Sequence, residues 1–102
     1  SLMKADALQQ AKKLMTAQDN IADITAQLKQ KYCEADYEGV TCRVNLELQI
    51  LSITISDAAL QQNKAAALQT LTELLNIAIT EAKKQAQAEM VSVMSKMKLH
   101  ID

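Results

Sequence analysis

A chain of 102 residues with one glycine, Gly39, and no proline has almost no means of interrupting a helix. Proline and glycine are the residues that stop helices and permit sharp reversals, so Gly39 parts two long stretches that hold neither. In the first, from about Lys4 to Lys31, apolar or small residues recur at Ala7, Leu14, Ile21 and Leu28, with Ala11, Gln18, Thr25 and Tyr32 four positions after each. This spacing is a heptad stripe on one helix face, and the polar Gln18 and Thr25 are of the kind that set register between helices. Leu8, Met15, Ala22 and Ile24 widen the stripe, so the helix needs a partner. In the second stretch Asn63 reads as an N-cap. Beyond it Leu68, Leu71, Leu75, Ala78, Ala82, Ala86, Met90, Val93 and Met97 follow steps of three and four to about Lys98, and no residue signals a break between Ala88 and Ser92.

Only the middle of the chain alternates with a period of two. Val40, Cys42 and Val44 share one face and Thr41, Arg43 and Asn45 the other; Leu51, Ile53 and Ile55 then alternate with Ser52, Thr54 and Ser56. Two half-buried antiparallel strands follow, with Cys33, Ala35 and Tyr37 as a shorter third before Gly39. The segment from Asn45 to Gln49 lacks the Asn-Gly or Asp-Gly pair that favours a tight primed turn, so it leaves the register open. Ser56-Asp57 caps a brief turn ahead of the last helix. The expected architecture is α+β in a single domain over residues 1–102: helix about 4–31, strands about 33–56 and helix about 63–98.

Length bears on assembly. At 1.5 Å per residue the two helices run about 40 and 50 Å, against a diameter near 30 Å for a compact domain of this size. Projecting helices with apolar stripes must be covered, and the commonest solution is a two-fold dimer. The chain is therefore expected to be an intertwined homodimer.

Charge narrows function. The chain carries 11 Lys+Arg against 12 Asp+Glu, so there is no bulk polycation. The charge is unevenly spread, however. Residues 1–31 hold five lysines against three carboxylates (net +2), residues 32–57 one arginine against five (net −4), and residues 58–102 five lysines against four (net +1). Lys83, Lys84, Lys96 and Lys98 have only Glu89 between them, a local patch suited to phosphates. Arg43 is the sole guanidinium, and no Asn, Gln or Arg cluster points to base reading. Tyr32 and Tyr37 are too few for stacking on single strands.

Catalysis would need a nucleophile or an acid/base pair in a polar cluster, and one His with scattered carboxylates supplies neither. Cys33 and Cys42 lack a CxxC arrangement or a nearby His, which makes them free thiols rather than zinc ligands. His100 near Asp102 reads as a solvated tail. No catalytic residue, metal or cofactor is expected. No apolar run reaches about 18 residues, so no membrane span is expected, and a cytoplasmic location is the default.

Taken in order, long helix, short sheet and long Met-rich basic helix, the chain resembles the YbaB/EbfC family of small bacterial nucleoid-associated proteins. The telling stretches are Val40-Thr41-Cys42-Arg43-Val44-Asn45, Leu51-Ser52-Ile53-Thr54-Ile55-Ser56, Leu74-Leu75-Asn76-Ile77-Ala78 and Glu89-Met90-Val91-Ser92-Val93-Met94-Ser95-Lys96-Met97. The opening Ala7-Leu8-Gln9-Gln10-Ala11-Lys12-Lys13-Leu14-Met15 is similar to the family's first helix. The resemblance implies a dimer whose helices project from a central sheet like tweezers and contact duplex DNA in the nucleoid. The expected DNA-binding residues are Lys12 and Lys13 on the first helix and Lys83, Lys84, Lys96 and Lys98 on the last. A dimeric protein-binding adaptor or secretion chaperone that does not touch DNA is the competing class, compatible with the acidic pI and small size.

Overall fold

The structure, a computed structural model, describes the backbone of residues 1–101 and the side chains of residues 1–96. Helix α1 (Leu2–Gln30) is followed by strands β1 (Tyr32–Tyr37), β2 (Val40–Asn45) and β3 (Ile50–Ile55), one short helical turn α2 (Asp57–Leu60) and helix α3 (Lys64–Ile101). The strands form one antiparallel sheet in the order β1-β2-β3. The α+β architecture read from the sequence is the one observed, and the short first strand is a full six-residue member of the sheet.

Gly39 makes the first hairpin. Tyr37 pairs with Val40, leaving a two-residue loop in which Glu38 has φ 51° and Gly39 φ 82°. Positive φ at both central residues is the primed turn whose twist matches that of the strands. A Cβ at position 39 would lie 2.6 Å from Ser56 Oγ and 3.3 Å from Ala59 Cβ. Those two atoms belong to the cap of α2, where Ser56 Oγ accepts from Ala59 N at 3.2 Å.

The second loop is built by a side chain. Asn45 is 1% exposed; its Oδ1 accepts from the backbone N–H of Glu47 at 3.0 Å and of Gln49 at 2.9 Å, and its Nδ2 donates to Gln49 Oε1 at 2.9 Å. Leu48 takes the left-handed conformation that a glycine would usually supply, with φ 67°. A bulge between Arg43 and Val44 follows, so Leu51 has no direct partner on β2.

The core lies between α3 and the first two strands. Cys33, Val40, Cys42 and Val44 are buried against Leu74, Ala78 and Ala82 of α3, with Ala59 of α2 closing one end. Leu74 is the largest side chain fully removed from water, and the stripe inferred from sequence did not include it. Leu71 and Leu75 flank it half-buried, whereas Leu68 and Met90, expected on the same face, are 54% and 44% exposed. On α1, Leu14 and Ile21 of the heptad stripe are also exposed, at 62% and 61%. Thr25 turns its hydroxyl back to the Ile21 carbonyl at 2.9 Å, so its polar group is satisfied within its own helix.

Asn63 caps α3 as expected, accepting from Ala66 N at 2.8 Å. No break interrupts the helix near residues 88–92. Gln69, donating to Glu73 Oε1 at 3.1 Å, and then the Tyr37 hydroxyl hold Glu73 below the usual carboxylate range, and Glu73 in turn pushes Tyr37 up. The radius of gyration is 20.9 Å and the extents are 75 × 19 × 17 Å, against about 13 Å for a compact chain of this length.

Two predictions follow from this packing. Gly39→Ala is expected to cost about 1–3 kcal/mol in urea unfolding, since the residue must hold a positive φ and its Cβ meets the α2 cap. Cys33 and Cys42 are both free. Burial raises the pKa of each thiol, so both are expected to react with Ellman's reagent only after denaturant is added.

Candidate nucleic-acid interface

The base of α1 is pinned to the second loop. Leu46 N donates to the carbonyls of Leu28 at 3.0 Å and Lys31 at 3.1 Å, and Leu46 itself is buried. From this anchor α1 lies antiparallel to the part of α3 that has passed the sheet, giving one rod-shaped arm. Half-buried residues recur at Ala17, Asn20, Ile24 and Leu28 on α1 and at Gln85, Ala86, Glu89 and Val93 on α3. Both rows step by three and four, the period of a helix face turned toward a neighbour.

One ion pair ties the two helices together. Lys31 Nζ lies 2.6 Å from Glu89 Oε1. It takes Lys31 out of the free basic charge, and it neutralises the only carboxylate between Lys84 and Lys96. The contact spans 58 residues of sequence, so no local pattern marks it.

The candidate lysines lie along this arm. Lys12, Lys13, Lys83, Lys84 and Lys96 are all exposed; the side chain of Lys98 lies outside the described residues, as do those of His100 and Asp102. With Lys31 opposite Glu89, helix rise places Lys84 and Lys13 about 35 Å apart along the arm. That is close to one turn of duplex DNA, about 34–36 Å. Consecutive residues are about 100° apart around a helix, so Lys12 and Lys13, like Lys83 and Lys84, splay to either side rather than forming one flat patch. Lys83 shares a stripe with the exposed Met90 and Met94, at steps of seven and four.

The sheet carries the opposite sign. On its outer face Arg43 Nε bonds Glu34 Oε2 at 2.8 Å, and its guanidinium lies 5.1 Å from the centre of the Tyr32 ring. Glu34, with Tyr32 nearby, raises the Arg43 pKa further. The Thr41 hydroxyl donates to Asp36. The sole arginine is therefore engaged in an acidic face and is not placed among the arm lysines. Among the described residues no group of three or more His, Cys, Asp or Glu is gathered as metal ligands would be, and no helix is long and apolar enough to cross a membrane.

The energetic weight of the clasp follows from its exposure. Lys31 and Glu89 side chains are 51% and 21% exposed, and solvent-screened pairs are worth about 0–1 kcal/mol. Glu89→Gln is expected to lower unfolding free energy by no more than about 1 kcal/mol, and the difference should vanish in urea titrations at high salt.

Comparison with known proteins bears on what such an arm does. The model of the YbaB/EbfC DNA-binding family matches residues 3–98, which takes in both helices, all three strands and the lysines at 12, 13, 83, 84, 96 and 98. A comparison with curated proteins gives no match.

Proposed function

The chain belongs to the YbaB/EbfC DNA-binding family, and from that premise we propose that it is a nucleoid-associated homodimer that grips duplex DNA through phosphates, with little sequence preference. The separation of charge along the molecule carries the reading. A chain of net charge −1 gains nothing from bulk attraction to DNA, so the basic and acidic parts must be held apart. The arm lysines lie on exposed helix, while Glu34, Asp36, Glu38 and Glu47 cluster on the sheet and its loops. At physiological ionic strength the Debye length is about 8 Å, and the far end of the arm extends about 40 Å beyond the sheet. Lys12 and Lys13 are thereby screened from the acidic sheet, while Lys83 and Lys84 stand at the base of the arm, directly after the buried Ala82.

Phosphate contact also matches the residue types. Lysine is a point charge on a flexible stem, suited to phosphate and poor at the bidentate readout of base edges that arginine, asparagine and glutamine provide. Dimerisation doubles the number of lysines per complex and supports affinity that no single arm supplies. Lys12, Lys13, Lys83, Lys84, Lys96 and Lys98 are the proposed contacts, and a cytoplasmic, nucleoid location goes with them.

The test is a salt titration. Each phosphate neutralised contributes about −0.9 to the slope of log K against log salt. Replacing Lys83 and Lys84 by Ala should flatten the slope by about 0.9 for each lysine that touches phosphate, equally on unrelated duplexes, without altering the oligomeric state. An unchanged slope would move the contact away from these residues. Failure of the wild-type protein to retain any duplex at low salt would replace this reading with a protein-binding adaptor.

A further inference from the structure

We propose that the open edge of β1, with the cleft between it and α3, receives an extended basic segment of another protein, which adds to the sheet as a strand beside β1. The inference does not depend on duplex binding. Strand β1 has β2 on one side and no strand on the other. Tyr37 pairs with Val40 across the two-residue loop, and the pair that closes such a loop exchanges its backbone hydrogen bonds. Since alternate residues of an antiparallel strand turn both N–H and C=O to one neighbour, Cys33, Ala35 and Tyr37 bond β2, and Tyr32, Glu34 and Asp36 turn theirs to the open edge. Among the described residues no turn, cap or loop bonds those groups. They run for about 17 Å, the length of an ordinary five-residue strand.

The edge has a wall on one side. Ile77, Thr80 and Glu81 of α3 stand beside Glu34, Ala35 and Asp36 around a cleft of about 600 Å³. Its floor is apolar: Ala35 is half-buried and Ile77 is 48% exposed. Its rim is acidic. Glu34, Asp36 and Glu81 are all exposed, and none of the described residues lining the cleft is a lysine or an arginine. Arg43 is tied to Glu34 on the outer face of the sheet, which leaves Asp36 and Glu81 with the larger share of free negative charge. Lys84 follows Glu81 by about one turn of α3, so the acidic stretch ends where the arm lysines begin.

Position and charge together select the occupant. Side chains of an added strand alternate between the two faces of the sheet. Those turned toward α3 meet Ala35 and Ile77 and are best apolar; those turned outward lie about 4.5–5.5 Å from Glu34 and Asp36 and are best lysine or arginine. The fitting segment therefore alternates apolar and basic residues. A second copy of the chain does not offer one. Its own β1 repeats Glu34 and Asp36, like charges that repel across strands, and β3, Ile-Leu-Ser-Ile-Thr-Ile, carries no charge to match. Duplex phosphate is turned away by the three carboxylates. A partner protein with a basic extended segment remains; main-chain hydrogen bonds give such a segment affinity, and alternate side chains give it selectivity.

The probe is a fluorescein-labelled peptide alternating lysine and valine, titrated with the full chain and followed by anisotropy. It should bind more tightly than a peptide of the same composition whose lysines and valines stand in separate blocks. Glu81→Lys and Asp36→Lys should each weaken it on the order of tenfold. A second measurement uses the wild-type chain, so it stands whether or not a variant folds. Amide exchange at Tyr32, Glu34 and Asp36 should slow when the alternating peptide binds, and exchange at Cys33 and Ala35 should change far less. Equal affinity for the two peptides, or no slowing at the three edge amides, would overturn the proposal. A change of oligomeric state on Glu81→Lys would give the cleft to another copy of the chain, and slowing of the same amides by duplex in place of peptide would give it to DNA; either result overturns it as well.

Discussion

A helix of 38 residues is about 57 Å long, and strands of six residues are about 20 Å deep. No packing of α3 on this sheet covers more than about a third of the helix, and most features of the molecule descend from that mismatch. The covered part is where Leu74, Ala78 and Ala82 are buried. Its alanines let the helix approach so closely that Cys33 Sγ lies 3.8 Å from the Ala78 carbonyl oxygen. Past Ala82 the helix has no sheet beneath it. Among the described residues its support there is α1, which is pinned at its base by Leu46 and clasped to α3 by Lys31 and Glu89.

The same mismatch divides the molecule by chemistry. Close packing of one helix over two strands leaves the third uncovered, so Ile50, Leu51, Ile53 and Ile55 stay 40–52% exposed. The overhang meets water on most of its circumference and can carry lysines at little cost in stability. Acidic groups outnumber basic ones on the sheet and its loops, where Glu34 occupies Arg43 and Asp36 takes the Thr41 hydroxyl, while the long helices carry Asp6, Asp19, Asp23, Glu73, Glu81 and Glu89 among their lysines. The exposed lysines of the overhang and the apolar strand β3 are held apart by rigid helix rather than by a linker.

Much of this was legible in the sequence. The lack of breakers marked both helices, the alternation of Val40, Cys42 and Val44 marked the central strand, and Asn63 and Ser56 marked two helix starts, because each of these signals is local. Contacts between distant residues left no such trace. Lys31 and Glu89 read as two ordinary surface charges. Asn45 read as an outward-facing strand residue, although its buried side chain organises the loop that an Asn-Gly pair would otherwise make. The heptad stripe was correct as a helix signal, but it is not the face that packs within the chain. The face of α1 packed within the chain, running through Ala17, Ile24 and Leu28, is rotated from the one that includes Leu14 and Ile21. Of the candidate lysines, the sequence supplied the sign of the charge; their spacing along one arm required the antiparallel alignment of two helices.

The central claim, proposed above, is that two copies of this chain present arms that hold one duplex. Sedimentation velocity of the wild-type protein with a short fluorescent duplex, under protein-limiting conditions and low salt, measures the mass of the smallest complex. Two protomers on one duplex, with no lighter bound species as protein is diluted, is the predicted result. A bound species containing a single protomer would contradict it.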